Sequence, residues 1–270
     1  VEGRRWNLYT MDDVKIILPQ DKIETFGCAQ MFMACKGLTA AASLGATDLE
    51  DSVYYQMYRE CTELLTPPAS LPALVVPNGG YEQMFFGCGK LTSGPTIAAT
   101  DISTDGCANM FSNCSALETI PNMTALQRIG KEGCWEMFSS CTSLTSIPAK
   151  TVESIDDHGC YQMFEGCSNL GAVDNLHAGN IGTHGCERMF MDCLGITSVS
   201  NLGATTIGDY GCYQMFYGCS ALTETPDLSV IESVGDHGFY QMFYMGVQRC
   251  LPRTPIPEQR AELLHLLLQT

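Results

Sequence analysis

The Met of a Met-aromatic pair falls at positions 31, 57, 84, 110, 137, 163, 189, 215 and 242. The interval between copies is always 26 or 27 residues. Nine copies at so regular a spacing define a repeat array, which constrains the fold more than any other feature of the chain. Units this short have no core of their own. They become stable only by lying on copies of themselves.

Each unit reads in three parts. In the middle of the chain, Leu144-Thr-Ser-Ile147-Pro148 is a short apolar-polar run, Val152 to Ile155 forms a second run, and a turn Asp156-Asp157-His158-Gly159 leads into Cys160–Cys167. The first run recurs as Leu117 to Pro121, Leu170 to Val173, Ile196 to Val199 and Leu222 to Pro226. Its β-branched content and proline stop predict a strand of ~3–5 residues. The third part sets Cys, Met/Phe and Cys at i, i+3/i+4 and i+7, which predicts two turns of helix with one buried face. A polar residue and Gly stand where a helix start expects them.

Stacking places like residues over like, so the two Cys positions become internal columns. Two cysteines seven apart on a helix are separated by ~10 Å of rise, beyond the ~7 Å Cα limit for a disulfide. The first Cys gives way to Tyr54, Tyr81 and Phe239 in three units, while Cys61 and Cys88 hold the second position in two of them. An aromatic replaces a packing residue, not half of a bridge. The total of 15 cysteines is odd as well. Free buried thiols acting as small soft hydrophobes are expected, with bridges between neighbouring units left open.

Composition narrows the function. A formal charge of −16, from 30 acidic and 14 basic residues, disfavours nucleic acid, whose phosphates call for clustered Lys and Arg. No apolar run approaches the ~20 residues of a membrane span, and no charged-then-apolar leader opens the chain. His158, His184 and His237 recur at the turn before Gly, but only two lie in adjacent units, with no carboxylate or thiolate fixed beside them. They read as solvated turn residues, so no metal and no cofactor are expected. Phosphate-loop, GxSxG and HExxH patterns do not occur, and the chain reads as non-enzymatic.

The expected organisation is a lead or cap over residues 1–13, a solenoid over 14–246 and a C-terminal capping segment over 247–270. That last segment contains a helix near Glu258 to Gln269, because an array needs atypical ends to cover its exposed cores.

Met137-Phe138-Ser-Ser-Cys141-Thr-Ser-Leu144-Thr-Ser-Ile147-Pro148 strongly resembles the BspA-like subgroup of bacterial leucine-rich repeats, and the likeness extends over roughly residues 14 to 246. The resemblance implies an α/β leucine-rich-repeat solenoid of about nine repeats, with short parallel strands on one face and short helices on the other. It also implies cell-surface or secreted display and adhesion to a protein or glycan, with the chain read as a monomer. A structural spacer, or a segment of a larger surface or phage tail assembly, is the alternative. The candidate interaction surface comprises the residues flanking the core position of the first run: Thr119, Ser146, Ala172, Asp174, Ser198, Ser200 and Glu224.

Overall fold

A computed structural model describes residues 18, 21–148, 150–173 and 176–245; the expected caps over 1–13 and 247–270 and the candidate Asp174 lie outside the described residues. The chain winds as a parallel β-solenoid of about eight turns. Its strands, in chain order, are β1 Lys22–Ile23, β2 Asp48–Leu49, β3 Ser70–Leu71, β4 Val75–Val76, β5 Thr96–Ile97, β6 Asp101–Ile102, β7 Arg128–Ile129, β8 Lys150–Ile155, β9 Leu176–Ile181, β10 Thr206–Ile207 and β11 Ser233–Val234. Seven of them form one parallel sheet in the order β11-β10-β9-β8-β7-β6-β4, and β1-β2 and β3-β5 form two-stranded pieces. The register steps by one repeat: Ile102 pairs with Ile129, Ile129 with Ile155, and Ile155 with Ile181.

This sheet is built from the second run of each unit, not the first. The first run contributes only isolated parallel bridges, Ile147 to Val173 and Val173 to Val199. The second run supplies a β-branched residue at each step, and Val76, Ile102, Ile129, Ile155, Ile181 and Ile207 are all buried against the next copy. Beside them stands a glycine column. A Cβ on Gly159 would lie 2.8 Å from Ile155 Cγ2 and 3.0 Å from the Asp156 carbonyl oxygen, so the turn closes there only without a side chain.

The expected helices are absent: no residue among those described is helical. From Asp105 to Cys114 the N–H groups alternate in direction. Those of Gly106, Ala108, Met110, Ser112 and Cys114 donate to the carbonyl three residues back, at 3.0–3.2 Å. Those of Asp105, Cys107, Asn109, Phe111 and Asn113 donate forward to Lys131, Gly133, Trp135, Met137 and Ser139 of the next turn, at 2.7–3.2 Å. A helix would spend every donor inside itself. This segment spends half of them on its neighbour and forms a second ladder opposite the sheet.

Left-handed backbone at every fourth residue makes the alternation possible. In this turn Asp105, Asn109 and Asn113 have φ of 54°, 54° and 62°, and equivalent residues behave alike in the other turns, for instance His158, Gln162 and Gly166. Each non-glycine residue there costs ~1–2 kcal/mol, which the two sets of hydrogen bonds offset. A four-residue period buries positions i, i+3, i+4 and i+7 just as a two-turn helix does, which is why the sequence pattern predicts a helix.

The interior is a set of columns. Phe32, Tyr58, Phe85, Phe111, Phe138, Phe164, Phe190, Phe216 and Phe243 stack with ring centroids 5.2–5.6 Å apart and planes within 16°. Pairs of this kind contribute ~0.5–1.5 kcal/mol each beyond area burial. All cysteines among the described residues are free thiols, and all but Cys35 are buried. The two columns differ in role. From Cys61 to Cys219 the second column donates its S–H to the ring residue's carbonyl one turn earlier, Cys141 to Phe111 at 3.2 Å and Cys193 to Phe164 at 2.9 Å among them. A directional bond explains why Cys persists there while aromatics intrude in the first column.

Candidate interaction face

The described residues flanking the first run lie beside its isolated bridges. Ser146, Ala172 and Ser198 each precede a bridged residue and so line up in register. Thr119, Ser146 and Ala172 are exposed, and Ser198, Ser200 and Glu224 are half-buried. The Ser198 carbonyl accepts the Val173 N–H, and the Ser200 N–H donates back to the Val173 carbonyl, so these residues contribute backbone to the stacking. Their side chains are small, without the Trp, Tyr or Arg that anchors most interfaces.

Such anchors lie on the turn ladder. The left-handed residue before the glycine column directs its side chain over its counterpart in the next turn. His158, His184, Tyr210 and His237 thereby run as a ring stack with successive centroids 4.7, 5.0 and 4.9 Å apart and planes within 15°, and Trp135, which stands at the Tyr161 position of its own turn, extends the stack 6.0 Å from His158 at 18°. A second line of rings flanks the first. Tyr161 lies 4.5 Å from Trp135, and Tyr213 stacks on Tyr240 at 5.8 Å. Tyr213 meets Tyr210 edge-on at 88°, and Tyr240 meets His237 at 90°. All of these rings are half-buried except His237, which is exposed.

The middle left-handed position carries a ladder of amides, beside which the rings sit. Gln30 donates to Gln56 at 2.8 Å, Gln56 to Gln83 at 2.9 Å and Gln214 to Gln241 at 2.7 Å. In-register amides satisfy each other from turn to turn as they do in stacked sheets.

One unit breaks both lines. Glu187 stands where Tyr161 and Tyr213 stand in the neighbouring turns, and Arg188 replaces the Gln. Arg188 joins the amide ladder on one side by donating to Gln214 Oε1 at 2.7 Å, lies 5.5 Å from the Tyr213 ring centroid, and donates to the Tyr161 hydroxyl at 3.4 Å. Glu187 is buried and its carboxylate is 2.5 Å from His184 Nδ1. A carboxylate is therefore fixed beside the histidines after all, supplied by the following segment and not by the turn itself. The signal for it was in the sequence, in the one unit that places Glu-Arg between Cys and Met-Phe.

Further along the ladder, burial and the neighbouring Asp105 raise the Glu82 carboxyl, while burial and the neighbouring Glu132 raise that of Asp105. This end of the ladder is acidic, and the other end is ring-lined.

A profile of the BspA-type leucine-rich repeat region matches the chain in six copies, over residues 80–171 and 136–246. No functionally curated protein matches the sequence. Three solved structures are similar to it: a leucine-rich repeat protein from Bacteroides ovatus ATCC 8483 (16% identity, 82% of this chain and 68% of that one, TM-score 0.26), a leucine rich cell surface protein from Faecalibacterium prausnitzii A2-165 (17%, 93% and 73%, TM-score 0.33), and a leucine-rich repeat protein from T. pallidum (17%, 94% and 79%, TM-score 0.30). Identities and scores this low say nothing of ligands. The profile matches span more than half of the chain and follow the same 26–27-residue period that sets the register of the sheet, and on that ground the chain belongs to the BspA-type leucine-rich-repeat family.

Proposed function

We propose that the chain is a non-enzymatic binding module of the bacterial surface, which holds an extended protein or glycan partner along the ring-lined face between Trp135 and Tyr240. The observation that carries this reading is the line of stacked rings over successive turns, flanked by Tyr161, Tyr213 and Tyr240. Trp and Tyr offer large, rigid contact area at low entropic cost, with a polar tip for hydrogen bonding. Arg188 adds a guanidinium within the same surface. The spacing of one ring per turn suits a partner that is itself repetitive, such as an oligosaccharide or an extended peptide. Surface display rests on the family resemblance.

The test is to probe an array of glycans and extracellular-matrix proteins with the labelled chain and two variants. Trp135→Ser with Tyr210→Ser should lose a signal that Thr119→Lys with Ser146→Lys retains, with both variants checked for unchanged melting. Loss confined to the lysine variant would move the site to the first-run face. A chain that binds nothing but itself would favour the spacer role.

A further inference from the structure

We propose that His158, His184 and Glu187 form a binding site for one divalent transition-metal ion of the zinc, copper and nickel class. Among the described residues they are the one group of three ligating side chains whose donor atoms lie close together, all within 4.8 Å of one another. This inference goes beyond the binding-module reading and stands without any partner.

Three observations converge on the cluster. The first is the donor set. Two imidazoles and one carboxylate suit zinc, copper and nickel, whereas calcium and magnesium prefer oxygen alone. Three protein donors also leave a coordination position for water or for a donor from elsewhere. The second is His158 Nδ1, which is sealed from solvent and has no hydrogen-bond partner. A polar atom left so carries a desolvation penalty that a ligand would remove. The third is Glu187, whose side chain is only 9% exposed. Its near partners are His184 Nδ1 at 2.5 Å and, more loosely, Arg188 Nη1 at 3.8 Å. A buried carboxylate calls for counter-charge at close range, which a bound cation would supply beside these two groups.

The fold explains why the cluster arises here. His158 and His184 occupy the same left-handed position in adjacent turns, with φ of 55° in both, which brings their rings to 4.7 Å. Glu187 lies three residues beyond His184, within the same turn. The resting rings are stacked at an interplanar angle of 15°. Parallel rings point their nitrogen lone pairs side by side, so shared coordination requires one imidazole to swing out of the stack. That motion loosens the contact between His158 and Trp135, 6.0 Å away, so metal binding should register in the Trp135 fluorescence. Tyr210 and His237 continue the stack away from the carboxylate and are not ligands in this arrangement.

The experiment is zinc titration of the chelator-stripped chain by calorimetry, with a phosphine reductant that leaves the thiols reduced. A Trp6→Phe background isolates the Trp135 emission. The expected result is one saturable site, with zinc raising the melting temperature and shifting the emission. His158→Ala and Glu187→Gln should each weaken zinc at least ~10-fold, and His237→Ala should leave it unchanged. These variants keep every thiol, so any metal held by cysteine survives in them. No saturable binding by the folded parent, or binding equally strong in His158→Ala and Glu187→Gln with melting near the parent value, would overturn the proposal. If those two variants are themselves unfolded, His158→Gln and Glu187→Ser serve in their place.

Discussion

The Cys141 thiol donates to the Phe111 carbonyl oxygen at 3.2 Å, one full turn earlier in the solenoid. The same carbonyl already accepts the Cys114 N–H. Seven such bonds, from Cys61 to Cys219, tie the second thiol column to the ring column.

Replacement costs should therefore differ between the two columns. Cys141→Ala loses a buried hydrogen bond worth ~1 kcal/mol and ~1 kcal/mol of packing, about 2 kcal/mol in all, and Cys141→Ser recovers part of it by keeping a donor. Cys134→Ala, in the column where Tyr54, Tyr81 and Phe239 also occur, loses only packing, ~1 kcal/mol. Urea denaturation of the three variants is the measurement. Equal costs at both positions would show that the directional bond contributes nothing.

Alkaline pH should unfold the chain earlier than its charge alone would. Burial pushes the Cys134, Cys167 and Cys219 thiols up to about 12, from an ordinary value of 9.0. Between those limits the folded state holds protons that the unfolded state has released, so stability falls as pH rises. The slope approaches ~1.4 kcal/mol per pH unit for each such thiol. More than about one pH unit below 9.0 the effect vanishes. Urea midpoints at pH 6.5, 7.5 and 10 should be flat over the first step and fall over the second.

The same burial should protect the thiols from reagents. Iodoacetamide at pH 8 should modify the folded chain at few positions among residues 21–245, with the half-buried Cys35 the first of them. In denaturant every one should react. Mass spectrometry of the two samples gives the comparison, and broad labelling of the native sample would contradict the closed columns.

The left-handed positions predict opposite outcomes for two exchanges in one column. Gly166, at φ 69°, has room for a Cβ, with Ser140 Oγ 3.5 Å away, so Gly166→Ala should cost ~1 kcal/mol through backbone strain alone. Ser140 has φ of 60° in the preceding turn. Ser140→Gly should be neutral or stabilising by up to ~1 kcal/mol, because the strain is relieved. Thermal melting of the pair decides it. A destabilised Ser140→Gly would mean that its side chain matters more than its backbone.

The 26–27-residue period, the parallel strands and the buried thiol columns are legible in the sequence because each follows from like residues lying on like. Cys107, Met110, Phe111 and Cys114 predict a helix that does not form, because they satisfy a period of 3.6 and a period of four equally well over eight residues. The distinguishing signal lay between them, in Asn109, Asn113, Gly87, Gly166 and Gly218, residue types that tolerate left-handed backbone at positions a helix would leave exposed. The β-branched residues and proline of the first run predict a strand there, whereas the second run has the uninterrupted donors that a sheet needs. The ring-lined face is not legible in any local window, because a stack across turns joins residues 23 to 27 apart. Glu187 could have been found only by asking where one unit departs from the others.

The alternating donors also govern how this molecule can change in length. Adding one residue between Asp105 and Cys114 would swap the two sets of N–H groups, so that those aimed at the next turn would point back into their own. The odd residue that makes some repeats 27 long lies elsewhere, between the leucine after the second Cys and the strand: Leu117 to Ile129 spans one step more than Leu144 to Ile155. Parity is thus kept along one arm of every coil, and insertions accumulate on the other.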